Sequence, residues 1–319
     1  MLNTAFTDLV GCSVPIQQAG MGGVATPELA AAVADAGALG MVNMTMIPAD
    51  DVAVALDALI KATTGTVGMN FLMPFLDVAA VEAAATRVRV VEFFYAEPDS
   101  ALVARVHEGG ALAAWQVGSR SEAQRAVDAG CDFIAAQGTE AGGHVRGEIS
   151  LLPLLDAVLD AVEVPVVAAG GIGTARAMAA SLAAGAGAVR IGTRFVATHE
   201  ANAHPAYVEA LARAQAAETV LTTAFSVMWP DAPHRVLRSC VEAAEALEGD
   251  IAGEMSMGAV RMPLPKFAVP CPTREMTGTI GAMALYAGES VGAVTGVQSA
   301  GDVVRELADG AERLLRVRA

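Results

Sequence analysis

Val164-Pro165-Val166-Val167-Ala168-Ala169-Gly170-Gly171-Ile172-Gly173-Thr174 and Ala188-Val189-Arg190-Ile191-Gly192-Thr193-Arg194-Phe195 lie about twenty residues apart in the second half of the chain. Each is a short apolar run that ends in glycine. Such a run reads as a strand buried on both faces of a parallel sheet. Glycine at its end lets backbone N–H groups approach an anion, because no Cβ stands in the way. Two such ends side by side make the phosphate site that follows strands 7 and 8 of a TIM barrel. The pair points to a barrel and to a phosphorylated cofactor.

The same alternation extends upstream. Apolar runs alternate with alanine-rich helical stretches through about residue 200, the pattern of repeated β–α units. Candidate strands are 14–18, 38–42, 66–70, 88–94, 111–116, 132–136, 165–169 and 188–191. Thr26-Pro27-Glu28 places a capping residue before proline at the first helical position. Ser119 or Ser121 starts a helix that runs to Gly130, where a helix-ending glycine belongs. Eight strands predict an α/β fold, a closed (β/α)8 TIM barrel; an open doubly wound sheet is the alternative.

The pattern breaks after about residue 200. Residues 199–217 read as helical. Trp229-Pro230-Asp231-Ala232-Pro233 is too rich in proline for a barrel repeat. A helix is expected over 235–248, and helical character returns over 278–286 and 299–316. The expected organisation is a barrel over 1–217, a smaller inserted substrate-side domain over 218–277, and helices over 278–319 that return to the barrel. The insertion 218–277 is expected over the C-terminal face of the barrel as a candidate lid, with its Met- and Gly-rich segment 255–262 as a candidate mobile stretch.

Composition narrows the function. The chain has 319 residues, 54% of them hydrophobic and 17% charged, enough for a large core. No run of about 18 apolar residues is free of Gly, Pro or charge, so no membrane span is expected. No basic stretch precedes an apolar block at the N-terminus, so no signal peptide is expected. A net charge of −15 argues against a nucleic-acid partner. Cys12, Cys131, Cys240 and Cys271 form no CxxC or metal-ligand pattern and read as reduced thiols of a cytoplasmic protein.

The chemistry is expected at strand ends. Gly20-Met21-Gly22-Gly23 follows strand 1 and reads either as a platform for a flat ring or as a tight βα turn. No acidic residue ends the second strand, where Met41-Val42-Asn43 stands, which argues against a Rossmann NAD site. Asn70 and Gln116 end strands 3 and 5, where an amide donates and accepts at once toward a heterocycle or ribityl chain, or merely caps a loop. Gly138-Thr139-Glu140-Ala141-Gly142-Gly143-His144 follows strand 6. Its glycines bring backbone close to a ligand, and His144 suits proton abstraction near neutral pH. His107, His199 and His204 read as surface or supporting groups; His234 is a weaker candidate for the site. There is no GxSxG nucleophile motif, and no HxH or HExxH metal motif.

Gln137-Gly138-Thr139-Glu140-Ala141-Gly142-Gly143-His144, with Ala169-Gly170-Gly171-Ile172 and Ile191-Gly192-Thr193-Arg194-Phe195, resembles the nitronate monooxygenase family, formerly called 2-nitropropane dioxygenases. The resemblance runs from Pro15-Ile16-Gln17 to Tyr286-Ala287-Gly288-Glu289. It implies an FMN-dependent TIM barrel, an architecture shared with FMN-dependent enoyl-ACP reductases and certain NADH:quinone reductases. It implies that Gly20, Met21 and Gly22 support the isoalloxazine ring and that Asn70 and Gln116 contact the flavin. Gly142 and Gly143 would lie beside the ring, with His144 on the substrate side. Gly170, Gly171, Gly192 and Thr193, next to Ala169 and Ile191 at the strand ends, would hold the phosphate.

The chain departs from the family where Gln often stands at the positions of Arg190 and Glu289. Arg190 either adds a charge for the phosphate or points outward. Residues 226–238 do not match the substrate-side motif of the nitronate oxidisers. The implied reaction is FMN-dependent oxidation of a nitronate or nitroalkane by dioxygen to a carbonyl compound and nitrite, with His144 as general base. The alternative is an NAD(P)H-dependent reductase of an enoyl thioester or a quinone. Small-molecule substrates are the expected partners, with a homodimer possible. A barrel that binds flavin or a sugar phosphate without turnover is the remaining reading.

Overall fold

The structure is a computed structural model and describes residues 2–257 and 260–316. Eight parallel strands form its centre: β1 Ile16–Gln18, β2 Gly40–Asn43, β3 Val67–Leu72, β4 Val90–Phe94, β5 Leu112–Val117, β6 Phe133–Gln137, β7 Val166–Ala169 and β8 Ala188–Ile191. Each pairs with its neighbours in chain order, and β8 pairs with β1. The ring closes between β1 and β2 through a Gln17–Leu39 bridge. There Gln18 N–H donates to the Leu39 carbonyl and Leu39 N–H to that of Ile16. Closure decides for the (β/α)8 TIM barrel over the open sheet, which would leave β1 and β2 as edges.

Side chains alternate along each strand, so each strand feeds two cores. On β4, Val91 and Phe93 pack against the helices, whereas Val90 faces inward. The inner cluster joins Leu39, Met41, Ala114, Phe133, Ala135, Val167 and Ala188 to Phe6 and Val10 of the helix Ala5–Val10. Phe6 sets its ring edge-on to Phe133 at 5.2 Å. Phe133 begins its strand, so this helix plugs the N-terminal end of the barrel. Toward the other end the inward positions turn polar: Gln17, Asn70, Glu92, Gln116, Gln137 and Arg190 are all buried.

Local signals set the helix ends. Thr26 Oγ1 accepts from Leu29 N–H ahead of the helix Pro27–Asp35, and Ser119 Oγ accepts from Glu122 N–H ahead of Arg120–Asp128. The helix Ala300–Arg316 lies so close to Ala175–Ala183 that a Cβ on Gly310 would stand 2.4 Å from Ala175 Cβ. No described helix is long and apolar enough to cross a membrane.

Two three-stranded antiparallel sheets stand outside the barrel. One joins β9 Thr219–Thr222, β10 His234–Leu237 and the two-residue strand Gly143–His144. The other joins β11 Ile251–Met257, β12 Val260–Pro265 and Thr277–Gly278. This segment touches the barrel where strands end: Trp229 meets Phe75 after β3 and Tyr95 after β4, and β10 pairs with the loop after β6. It therefore packs against the loops that follow β3, β4 and β6.

Three expectations change here. The helix expected from 235 begins at Arg238, as Arg238–Ala246, because His234–Leu237 is paired on both sides. The helix expected over 199–217 contracts to Pro205–Arg213, where Pro205 begins the helix and His204 Nδ1 accepts from Ala206 N–H. Residues 278–286 keep only the 3-10 turn Ile280–Ala282. Beyond it the chain is extended, with Tyr286 bridged to Val236 and the Leu285 carbonyl accepting from Leu237 N–H. Of the Met- and Gly-rich segment 255–262, residues 255–257 lie in β11 and 260–262 in β12, and residues 258–259 lie outside the described residues.

Candidate active site

The loop after β6 folds back so that Gly143 and His144 pair with Arg235 and His234. Val145 N–H donates to the Pro233 carbonyl at 2.8 Å, and Gln137 Nε2 donates to the His144 carbonyl at 3.0 Å. The main chain of His144 is thereby held from both sides. Its imidazole stacks on the Trp229 indole with ring centroids 4.0 Å apart and planes 15° from parallel. Tyr286 and Tyr95 wall it at 5.6 and 6.0 Å. Trp229 packs edge-on against Tyr95 and Phe75.

This cage removes water from the imidazole. Burial, helped by the neighbouring His234, pushes the His144 pKa down to about 3. His144 is therefore neutral at pH 7, and it is a weaker base than the near-neutral imidazole expected from the sequence. Its Nε2 is buried with no hydrogen-bond partner among the described residues, as is Gln137 Oε1. An unpaired buried polar atom costs about 1–3 kcal/mol, so two, at the end of β6 and in the loop after it, fit a place where a water or ligand completes the bonding.

His234 has a different part. It is fully buried, its Nε2 accepts from Phe225 N–H, and its Nδ1–H donates to the Ala232 carbonyl at 2.8 Å. Both nitrogens are hydrogen-bonded, so it braces the cage. Backbone strain gathers around the same cage. Tyr95, Met228, Asp231 and Phe267 adopt left-handed φ of 77°, 83°, 55° and 61°. Bulky residues rarely hold this conformation, and such strain concentrates at functional sites.

The glycine-rich strand ends converge beside the cage. Gly170 and Gly171 follow β7 with φ of 120° and 67°. A Cβ on Gly170 would stand 3.2 Å from Ala141 N and the Gly138 carbonyl, so the loops after β6 and β7 touch. A Cβ on Gly142 would stand 2.4 Å from Gly288 N. Gly288 N–H in turn donates to Thr193 Oγ1 at 3.0 Å, after β8. Gly192 precedes the short helix Thr193–Val196, whose first N–H groups have no intrahelical partner. Met21 Sδ lies 3.9 Å from where a Gly192 Cβ would stand, which brings in the loop after β1. Gly20 packs on Asn70 and Gly22 lies by Asn43. The Ala169 and Ile191 carbonyls accept from Gly138 N–H and Ala19 N–H and pin these loops to the strand ends.

The structure corrects the two readings of Arg190. The guanidinium neither points outward nor stands free for a phosphate; it lies inside the barrel, bonded to Glu92, Gln17 and Gln116. Asn70 is committed at both ends, donating to Glu92 Oε1 at 2.9 Å and accepting from Asn43 Nδ2 at 2.9 Å. Glu289 pairs with Arg235 at 3.3 Å. Sequence reasoning missed Gln17, Glu92, Tyr95, Gln137, Trp229 and Tyr286. A lone carboxylate inside the apolar run Val90-Val91-Glu92-Phe93-Phe94 was the available signal for Glu92. The aromatic walls carried none, since their role depends on tertiary contacts.

Known proteins resemble this chain in sequence and in fold. The family model described as nitronate monooxygenase matches residues 3–84 and 76–310. The chain is 36% identical over 252 residues to the (3aS,4S,5R,7aS)-5-hydroxy-7a-methyl-1-oxo-octahydro-1H-indene-4-carboxyl-CoA dehydrogenase of Mycobacterium tuberculosis, covering 77% of this chain and 69% of that protein. FabK from Thermotoga maritima superposes with a TM-score of 0.82 at 28% identity, covering 100% of this chain and 99% of that one. The nitroalkane oxidase from Streptomyces ansochromogenes superposes with a TM-score of 0.79 at 29% identity, covering 99% and 100%. The chain belongs to the nitronate monooxygenase family, and it is an oxidoreductase.

Proposed function

We propose that this chain binds FMN at the mouth of the barrel and oxidises a nitroalkane or its nitronate with dioxygen, yielding a carbonyl compound and nitrite. The observation that carries the reading is His144: neutral, walled by aromatic rings, with a buried Nε2 that lacks a partner. The residues present fit the cofactor. Gly170, Gly171, Gly192 and Thr193 offer a phosphate the backbone approach and hydroxyl it needs. Gly20, Met21, Gly22, Gly142 and Gly143 would flank the ring, and Gln116 with its polar neighbours would meet the ring's polar edge. When bound, the flavin supplies the electron-transfer step.

The protein supplies a base and a dry site. His144 takes the acidic α-proton of the nitroalkane at a ring nitrogen or hydrogen-bonds a nitronate already formed. An imidazole with so low a pKa keeps a proton only beside a negative charge. Proton abstraction creates that charge on the nitronate, so the ion pair forms in one step. Trp229, Tyr95 and Tyr286 exclude water and strengthen that pairing.

A second reading is favoured by the 36% identity to a carboxyl-CoA dehydrogenase. In it the same barrel exchanges electrons between a nicotinamide and an acyl thioester or quinone. An absorbance spectrum after FMN soaking, followed by anaerobic addition of NADH, NADPH and then nitronate, tests both. Flavin bands bleached by nitronate alone support the first reading. Bleaching by a nicotinamide supports the second. Absence of flavin binding overturns both.

A further inference from the structure

A TIM barrel interior is ordinarily filled with apolar layers. Here the layer at the mouth holds an ion pair between Arg190 and Glu92, with side chains only 8% and 0% exposed. Gln17 bridges the pair. Its Nε2 donates to Glu92 Oε2 at 3.0 Å, and its Oε1 accepts from Arg190 Nε and Nη2 at 3.3 and 3.0 Å. Arg190 Nη2 also donates to Glu92, Nη1 donates to Gln116 Oε1, and Asn70 Nδ2 donates to the other Glu92 oxygen. The guanidinium therefore spends Nε–H, both Nη2 hydrogens and one Nη1 hydrogen inside the protein, and keeps one N–H in hand. Gln116 is turned by the same contact. Its oxygen faces Arg190, and its Nε2 has no protein partner and is not enclosed among the described residues. The layer thus leaves one Arg190 N–H and the Gln116 amide donors unspent, beside a positive charge paired with Glu92.

Taking both charges out of water is costly, and apolar residues would fill the space at least as stably. A use at the mouth accounts for the pair. We propose that Arg190 and Glu92 are positioning residues that set the charge and donor pattern facing the flavin and so govern its reduction potential. This rests on the reading that FMN binds at the mouth. A flavin that takes up two electrons from a reductant and one proton from solvent gains one net negative charge. An uncompensated Arg190 favours that reduced form, and an uncompensated Glu92 opposes it, both more strongly than in water.

The test is the midpoint potential of FMN-loaded protein, measured by dithionite titration against a reference dye, with circular dichroism as the check on folding. Glu92→Gln is expected to raise the potential and Arg190→Gln to lower it. Each shift should be on the order of tenfold in the reduced-to-oxidised ratio at fixed poise. The double variant, which leaves no buried charge unpaired, is expected to return close to wild type. Shifts of the same sign, or no shift in either single variant, overturn the proposal. If the single variants do not fold, Arg190→Lys decides: the proposal expects a potential close to wild type because the charge is kept. A shift as large as that expected of Arg190→Gln overturns it. Wild-type protein that binds no FMN overturns the FMN reading and this proposal together. Wild-type protein that binds FMN while the variants fail to diverge overturns this proposal alone.

Discussion

An imidazole stacked on Trp229 and walled by two tyrosines loses most of its hydration, and its charged form loses the more. Replacing His144 with Asn keeps a polar group but removes the base. Turnover of neutral nitroalkane is expected to fall about 10²–10⁴-fold, with FMN retained and activity on preformed nitronate largely kept. Equal losses on the two substrates in steady-state kinetics would count against the base. The same burial ties His144 to stability. Its folded pKa, about 3, lies below the ordinary 6.5, so the unfolded chain binds the proton first as pH falls. Stability is therefore lost on acidification between those two values. In wild type the His144 contribution to the slope approaches about 1.4 kcal/mol per pH unit. Denaturant unfolding across that range should show a shallower slope for His144→Asn. Trp229→Ala readmits water, and the His144 pKa, followed by NMR, is expected to move up toward 6.5. These residues were unevenly legible. His144 stood out because a histidine in a glycine loop is conspicuous, whereas Trp229 sat in a proline-rich run with nothing to tie it to that loop.

At the scale of elements, the barrel strands were readable because short runs of Val, Ile, Ala and Phe between glycines are local signals. β10 was not, because Arg235-Val236-Leu237 continues smoothly into a helical pattern, and only pairing with β9 and the loop after β6 makes it a strand. The strand-end glycines carry a consequence of their own. Gly170 holds φ of 120° against the loop after β6. Gly170→Ala is expected to cost about 1–3 kcal/mol and to weaken FMN binding, as read by thermal melting and fluorescence titration. Gly281, with open space around its Cβ position and no left-handed φ, is the control. Gly281→Ala should stay within about 0.5 kcal/mol of wild type.

Across the whole molecule the two ends of the barrel divide the labour. The N-terminal end is closed by the apolar packing of Phe6 and Val10, while the mouth carries the polar layer, the glycine ends and the aromatic cage. Phe6→Ala is expected to cost about 3–5 kcal/mol in unfolding free energy while leaving the FMN dissociation constant unchanged. A parallel loss of FMN affinity would show that the two ends are coupled. By itself the sequence determined the eight β–α repeats and the glycine ends of β7 and β8. Periodicity, side-chain volume and the absence of a Cβ are properties of neighbouring residues, readable without knowing where the chain returns. Only the tertiary structure decided which way Arg190 faces. Its partner Glu92 lies 98 positions away. The cage around His144 was decided the same way, by loops after three different strands and a covering segment that meet only when the barrel closes. A contact between chain-distant residues depends on that closure, and no local pattern of residue types encodes it.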